Sequence, residues 1–185
     1  MGEQHKKHSR REHLNDFHLN VAGEYVYDGA LYACQNDDAK QRRSKRAVWG
    51  MAAILTVAVA AGGCIPAPGM QNCFYVLLPY LGEFLGAASV IWALAKLGMD
   101  WGTVREYNYK KSVAVLPVRT AVTAVFSLLG IVCELIFFFV NDHAGQTFFA
   151  LLYILLKLTA LLSALVLRAE IMQAEWDKLP KKNNF

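Results

Sequence analysis

The chain has 185 residues, 55% of them hydrophobic and only 18% charged, with a formal net charge of +4. Soluble domains carry about 45–50% apolar and about 25% charged residues, so this balance argues against an ordinary soluble domain and gives no reason to expect a nucleic-acid partner. The length fits one domain.

Residues 1–46 are polar and close on Arg42, Arg43, Ser44, Lys45 and Arg46. Residues 1–18 are basic and contain His5, His8, His13 and His18. No cysteine or carboxylate pattern completes a tetrahedral site around these histidines, so neither a metal nor a cofactor is expected. The composition reads as a disordered, solvated tail attracted to anionic lipid headgroups. Residues 24–33 differ. Tyr25, Val26 and Tyr27, then Asp28 and Gly29, then Ala30, Leu31 and Tyr32 read as a small hairpin with a type I′ turn. A lone two-stranded hairpin is barely stable in water. It is therefore expected to lie on the membrane surface, on the segment 98–118 or on a partner chain.

Four apolar stretches follow, at about 47–63, 74–97, 116–140 and 147–167. Each is about as long as a helix needs to cross a hydrocarbon core of ~30 Å at ~1.5 Å per residue. The first is the shortest, and either stands upright or begins inside the basic boundary. The runs lack the two-residue alternation of barrel strands, which leaves helices as the spanning form. The expected fold class is all-α integral membrane, with residues 47–168 forming four transmembrane helices in an antiparallel bundle.

The 19 Lys and Arg set the expected orientation. Nine lie in 1–46, five in 96–119 and four in 168–182, whereas the connections 64–73 and 141–146 hold none. With four spans every basic segment falls on one side, and the positive-inside rule then places both termini in the cytoplasm of a cell membrane. In 98–118, Trp101, Tyr107 and Tyr109 suit a membrane interface. Trp101, Val104 and Asn108 share the spacing of a short surface helix. Pro117 fits the first turn of the third span. Beyond the fourth span, 169–185 is expected to continue as a cytoplasmic helical tail as far as Pro180, with Ile171, Met172, Trp176 and Leu179 on one stripe.

Glu83, Glu134 and Lys157 fall inside the spans, in the half of the bilayer away from the termini. Ionised groups there are costly and should face the bundle and pair. Two readings follow: a proton- or cation-coupled site, or a buried Glu–Lys pair that sets helix register beside a protonated second Glu. Gly82 and Gly86 form a GxxxG pattern on the second span, expected to pack the first span or a second copy of the chain. Cys64 and Cys73 flank the turn that contains Pro66, Pro68 and Gly69. A structural disulfide is the expected use of this pair, ahead of lipid attachment or redox chemistry. Cys34 is expected as a free thiol and Cys133 as a small packing residue.

The functional expectation is an interaction or accessory subunit of a membrane complex rather than an enzyme. Tyr25, Tyr27, Tyr32 and Trp176 are its expected contact residues for a protein partner or a second copy, and the bilayer with its anionic headgroups is the other partner. The alternative is a small oligomeric transporter or channel that uses Glu83, Glu134 and Lys157. A third reading is a thiol–disulfide membrane oxidoreductase that uses Cys64 and Cys73.

Overall fold

Apolar residues without turn signals make long helices, and all four apolar stretches are helical in the computed structural model. It describes residues 17–19, 23, 25–27, 29–35, 37–98, 102–141 and 147–179. In chain order the elements are β1 (Phe17–Leu19), β2 (Tyr25–Tyr27), β3 (Leu31–Cys34), α1 (Asp38–Cys64), α2 (Pro68–Asn72), α3 (Phe74–Leu97), β4 (Thr103–Arg105), α4 (Glu106–Lys111), α5 (Leu116–Val140), α6 (Thr147–Met172) and β5 (Trp176–Lys178). The four long helices, α1, α3, α5 and α6, are each long and apolar enough to cross a membrane.

The helix bounds have local causes. α1 begins well before the apolar run, so its first two turns consist of the polar and basic residues that precede Ala47. α3 stops at Gly98, whose φ of 72° belongs to the left-handed region open to glycine, and the Gly98 N–H donates to Leu94 O. Pro117 sits in the first turn of α5, where its missing N–H costs nothing. Inside the helices, the hydroxyls of Thr56, Thr120, Thr123, Thr159 and Ser163 donate back to carbonyls one turn earlier. These hydroxyls need no water.

The bundle buries polar side chains within its apolar core and leaves large apolar side chains on its outside. Glu83, Glu134, Lys157, Thr120, Thr123, Ser127 and Ser163 are buried, while Val57, Leu85, Leu162 and Phe139 are among many large apolar side chains left exposed. A soluble protein with such a surface would aggregate. In lipid the same surface has no cost, and helices associate through small residues and interior polar contacts instead. α6 packs closely on both α1 and α5, α5 packs closely on α3, and α1 touches α3 more lightly. Glu83 opposes Ser127 and Ser89 opposes Arg119. One number rises as the other falls, so α3 and α5 run antiparallel.

The two ends of the bundle differ. At the end that carries the basic segments, β3 is the centre of a three-stranded antiparallel sheet in the order β4-β3-β5. Tyr32 pairs with Val104 on one side and with Lys178 on the other. Val104 and Trp176 pack on the core formed by Val48, Leu94, Leu97, Leu116 and Ile171. The sheet thus caps the bundle. At the other end, α2 turns inwards with Ala67, Pro68 and Gly69 buried, and packs on α3, α5 and α6.

Four expectations need correction. The hairpin expected at 24–33 does not form across Asp28 and Gly29. β2 pairs instead with β1, Phe17 facing Tyr27 and Leu19 facing Tyr25. Gly29 is not among the positive-φ glycines, whereas Gly23, between β1 and β2, has φ 79°. β3 makes two ladders as a central strand, where a hairpin would supply one. The helical tail expected over 169–185 ends at Met172, and Trp176–Lys178 is a strand on β3. As a strand residue Trp176 packs on the core and against Tyr109. The expected disulfide is absent, since Cys64 and Cys73 are both free. The segment between them is spent on α2, and the Cys73 N–H closes that helix by donating to Gly69 O. The expected surface helix from Trp101 is in part a strand, β4, followed by α4. Trp101 itself lies outside the described residues, as do His5, His8 and His13.

The close approach of α3 and α5 gives a stability test. A Cβ on Gly86 would stand 2.5 Å from Thr123 Oγ1 and 3.3 Å from its Cα, whereas one on Gly50 meets nothing within 4 Å. Gly86→Val is expected to lower stability by about 1–3 kcal/mol, and Gly50→Ala to cause no loss. Thermal unfolding of the purified proteins in detergent measures both.

Candidate functional site

The polar interior is built at three helix faces. On α3, Pro79, Glu83, Gly86, Ala87 and Val90 recur at helical spacing and are buried. On α5 the matching face carries Thr120, Thr123, Ser127, Gly130, Ile131, Glu134 and Phe137, and on α6 Ala150, Tyr153, Lys157, Ala160 and Ala164. Where these faces meet, Lys157 Nζ donates to Glu83 Oε2 in a fully buried ion pair. Ser127 Oγ donates to Glu83 Oε1 at 2.6 Å. Both carboxylate oxygens are therefore engaged. The ammonium also lies 4.5 Å from the Tyr80 ring centroid and 5.0 Å from that of Tyr153, within the range of cation–π attraction. The lysine stem passes Gly130, where a Cβ would stand in ordinary contact at 3.6 Å from Lys157 Cε.

Glu134 does not join this pair. It lies seven residues beyond Ser127 on α5, about 10 Å along the helix. What meets it is α2: the Gly69 N–H donates to Glu134 Oε1 at 3.4 Å. Glu134 Oε2 and the Tyr153 hydroxyl are buried without a hydrogen-bond partner among the described residues. A Cβ on Gly69 would overlap the Glu134 carboxyl and approach Phe137 Cδ1 to 3.1 Å, so glycine is the residue that lets α2 seat. The three ionisable groups buried within the apolar helices thus divide into a closed Glu83–Lys157 pair and a separate Glu134 under the loop-end helix.

Gly82 and Gly86 pack inside the chain, against Phe126 and Thr123 of α5. Neither the first span nor a second copy occupies that face. The first span meets α3 elsewhere: Tyr80 OH reaches Val59 O at 3.5 Å and lies over Gly63.

Of the expected contact residues, three make contacts inside the cap. Tyr32 stacks on Tyr109 with ring centroids 4.1 Å apart and planes 2° from parallel, and Trp176 tilts against the same Tyr109 at 5.9 Å. Tyr27 OH donates to Ala30 O at 3.3 Å, and Arg105 lies over its ring. Tyr25 is 75% exposed. Outside the cap, Arg42, Arg43 and Arg46 share one open face of α1.

Ser127, Tyr80, Tyr153 and Gly69 complete the interior, and none of them was distinguished by sequence reasoning. Ser127 had one available signal, since it is a lone hydroxyl in the apolar run from Ala124 to Val132. The tyrosines and Gly69 had none, because their roles arise from helices far apart in the chain. No protein family, curated protein or solved structure matches this chain.

The pair gives a two-step test. Lys157→Met leaves the Glu83 carboxylate buried without its partner and is expected to lower stability by roughly 3–5 kcal/mol. The double variant Glu83→Gln with Lys157→Met removes both charges and is expected to recover most of that loss. Unfolding of the three proteins in one detergent provides the comparison.

Proposed function

We propose that the chain is an interaction or accessory subunit of a membrane complex, embedded by its four apolar helices in the cell membrane. Its cap and both termini lie on the cytoplasmic side. One observation carries this reading. Three segments distant in sequence, 31–34, 103–105 and 176–178, converge on one sheet at the end of the bundle that holds the basic residues. A chain whose only task was to span lipid would have no use for such a cap. The positive-inside bias supports the orientation.

The interior favours this reading over a transport route. A route through Glu83, Glu134 and Lys157 would need the three groups within reach of one another, but Glu83 is saturated by Lys157 and Ser127 while Glu134 stands apart. Thiol chemistry loses its pair, because Cys64 and Cys73 are free.

Within the proposed docking surface, Tyr25 is the aromatic side chain that projects most, and an exposed tyrosine supplies contact area at low entropic cost. A photo-crosslinking residue in place of Tyr25 is expected to capture one discrete protein in cells, while the same residue in place of the exposed Leu165 captures none. Capture from position 165 alone would move the docking surface to the spans. A membrane-impermeant maleimide tests the orientation. Cys64, exposed at the loop end, is expected to react in intact cells, and Cys34, in the cap, only after lysis. The opposite pattern would invert the topology.

A further inference from the structure

A concave apolar groove runs along the outer surface where α5 meets α6. Pro117, Val118, Ala121, Val125 and Phe126 line it, and Arg168 of α6 closes its basic end. Val118 and Val125 are 62% and 56% exposed, so the groove is open among the described residues.

The neighbouring cations of this end are engaged. Arg119 donates to Ser89 O at 2.6 Å, and Lys96 lies over the Trp92 ring. Arg168 makes neither an ion pair nor a hydrogen bond with any described residue. It stands four residues before the end of α6, about 6 Å from that helix terminus.

The groove's length matches one leaflet. From Pro117 to Phe126 it extends about 14 Å along α5 at ~1.5 Å per residue, roughly half of a ~30 Å hydrocarbon core. A guanidinium at headgroup depth offers a planar fork of donors to a phosphate oxygen pair. An apolar channel that descends from it suits an acyl chain. Charge decides which lipid: a headgroup with its own ammonium offsets its phosphate, whereas an anionic one leaves a net charge for Arg168 to meet. A free phosphate would leave the channel empty.

We propose that this groove is a binding site for one anionic phospholipid, with the phosphate on Arg168 and an acyl chain against Val118, Ala121 and Val125. The site rests on the reading of the four helices as membrane-spanning. It goes beyond general attraction to headgroups, because it assigns one lipid to one groove.

The test is native mass spectrometry of the full chain, purified in detergent and offered equal amounts of phosphatidylglycerol and phosphatidylcholine. The expected result is retention of one phosphatidylglycerol in preference to phosphatidylcholine. Arg168→Gln is expected to lower that retention about five- to tenfold. Ala121→Trp, which fills the channel and keeps the charge, lowers retention too, and Arg43→Gln leaves it unchanged. Equal retention of the two lipids, or an equal fall in Arg43→Gln and Arg168→Gln, overturns the site. A second copy of the chain lost in Arg168→Gln, with lipid retention unchanged, reassigns the groove to a helix interface and overturns it as well. Extraction of the chain from membranes by alkaline carbonate would instead defeat the membrane-spanning reading itself, and so distinguishes the two failures.

Discussion

Lys157 brings an ammonium into the interior of an apolar bundle, and the arrangement of three helices answers that burden. A cation withdrawn from water is tolerated only with an opposite charge and further polar contacts around it. Glu83 supplies the charge from α3, Ser127 holds the second carboxylate oxygen from α5, and Tyr80 and Tyr153 offer ring faces to the ammonium. A slip of α3 by one residue would rotate Glu83 by about 100° away from its partners. The pair therefore specifies register, a task that apolar contacts in lipid perform poorly because one apolar neighbour is much like another.

Small residues make that meeting possible. Gly82 and Gly86 admit α5 close to α3. Gly69 plays the same part at the loop end, where it lets α2 rest on Glu134. The result is a bundle with a closed ionic centre and a second carboxyl beneath a short inward helix. The orphaned oxygen of Glu134 and the Tyr153 hydroxyl mark the place where polar satisfaction is incomplete.

The basic end follows a different logic. Ser44 Oγ donates to Glu170 Oε2 at 3.2 Å and ties the start of α1 to the end of α6. β3 then takes one neighbour from the α3–α5 connection and another from the C-terminal segment. Tyr109, between Tyr32 and Trp176, joins all three segments through aromatic contacts. The proposed docking surface is this cap, and the groove proposed for a lipid ends at Arg168 on the same side.

Much of this is legible in the residues. The bounds of α3 and α5 can be read directly, because Asn72, Gly98, Pro117 and Asn141 interrupt the apolar runs, and backbone groups in an apolar setting leave helix as the spanning form. The clustering of Lys and Arg separates the two ends without any knowledge of packing. The presence of Glu83, Glu134 and Lys157 in the spans also requires polar contacts inside, whatever their partners. Partner choice is another matter. That Glu83 takes Lys157 while Glu134 takes Gly69, that Cys64 and Cys73 stay apart, and that 31–34 pairs with 103–105 and 176–178 rather than with 25–27 all depend on which faces of distant segments meet. Local spacing gives the face of a single helix or strand. Only the packed chain brings one face to another, because the contacts that decide it, Trp176 on Tyr109 and Lys157 on Glu83, join segments far apart in sequence.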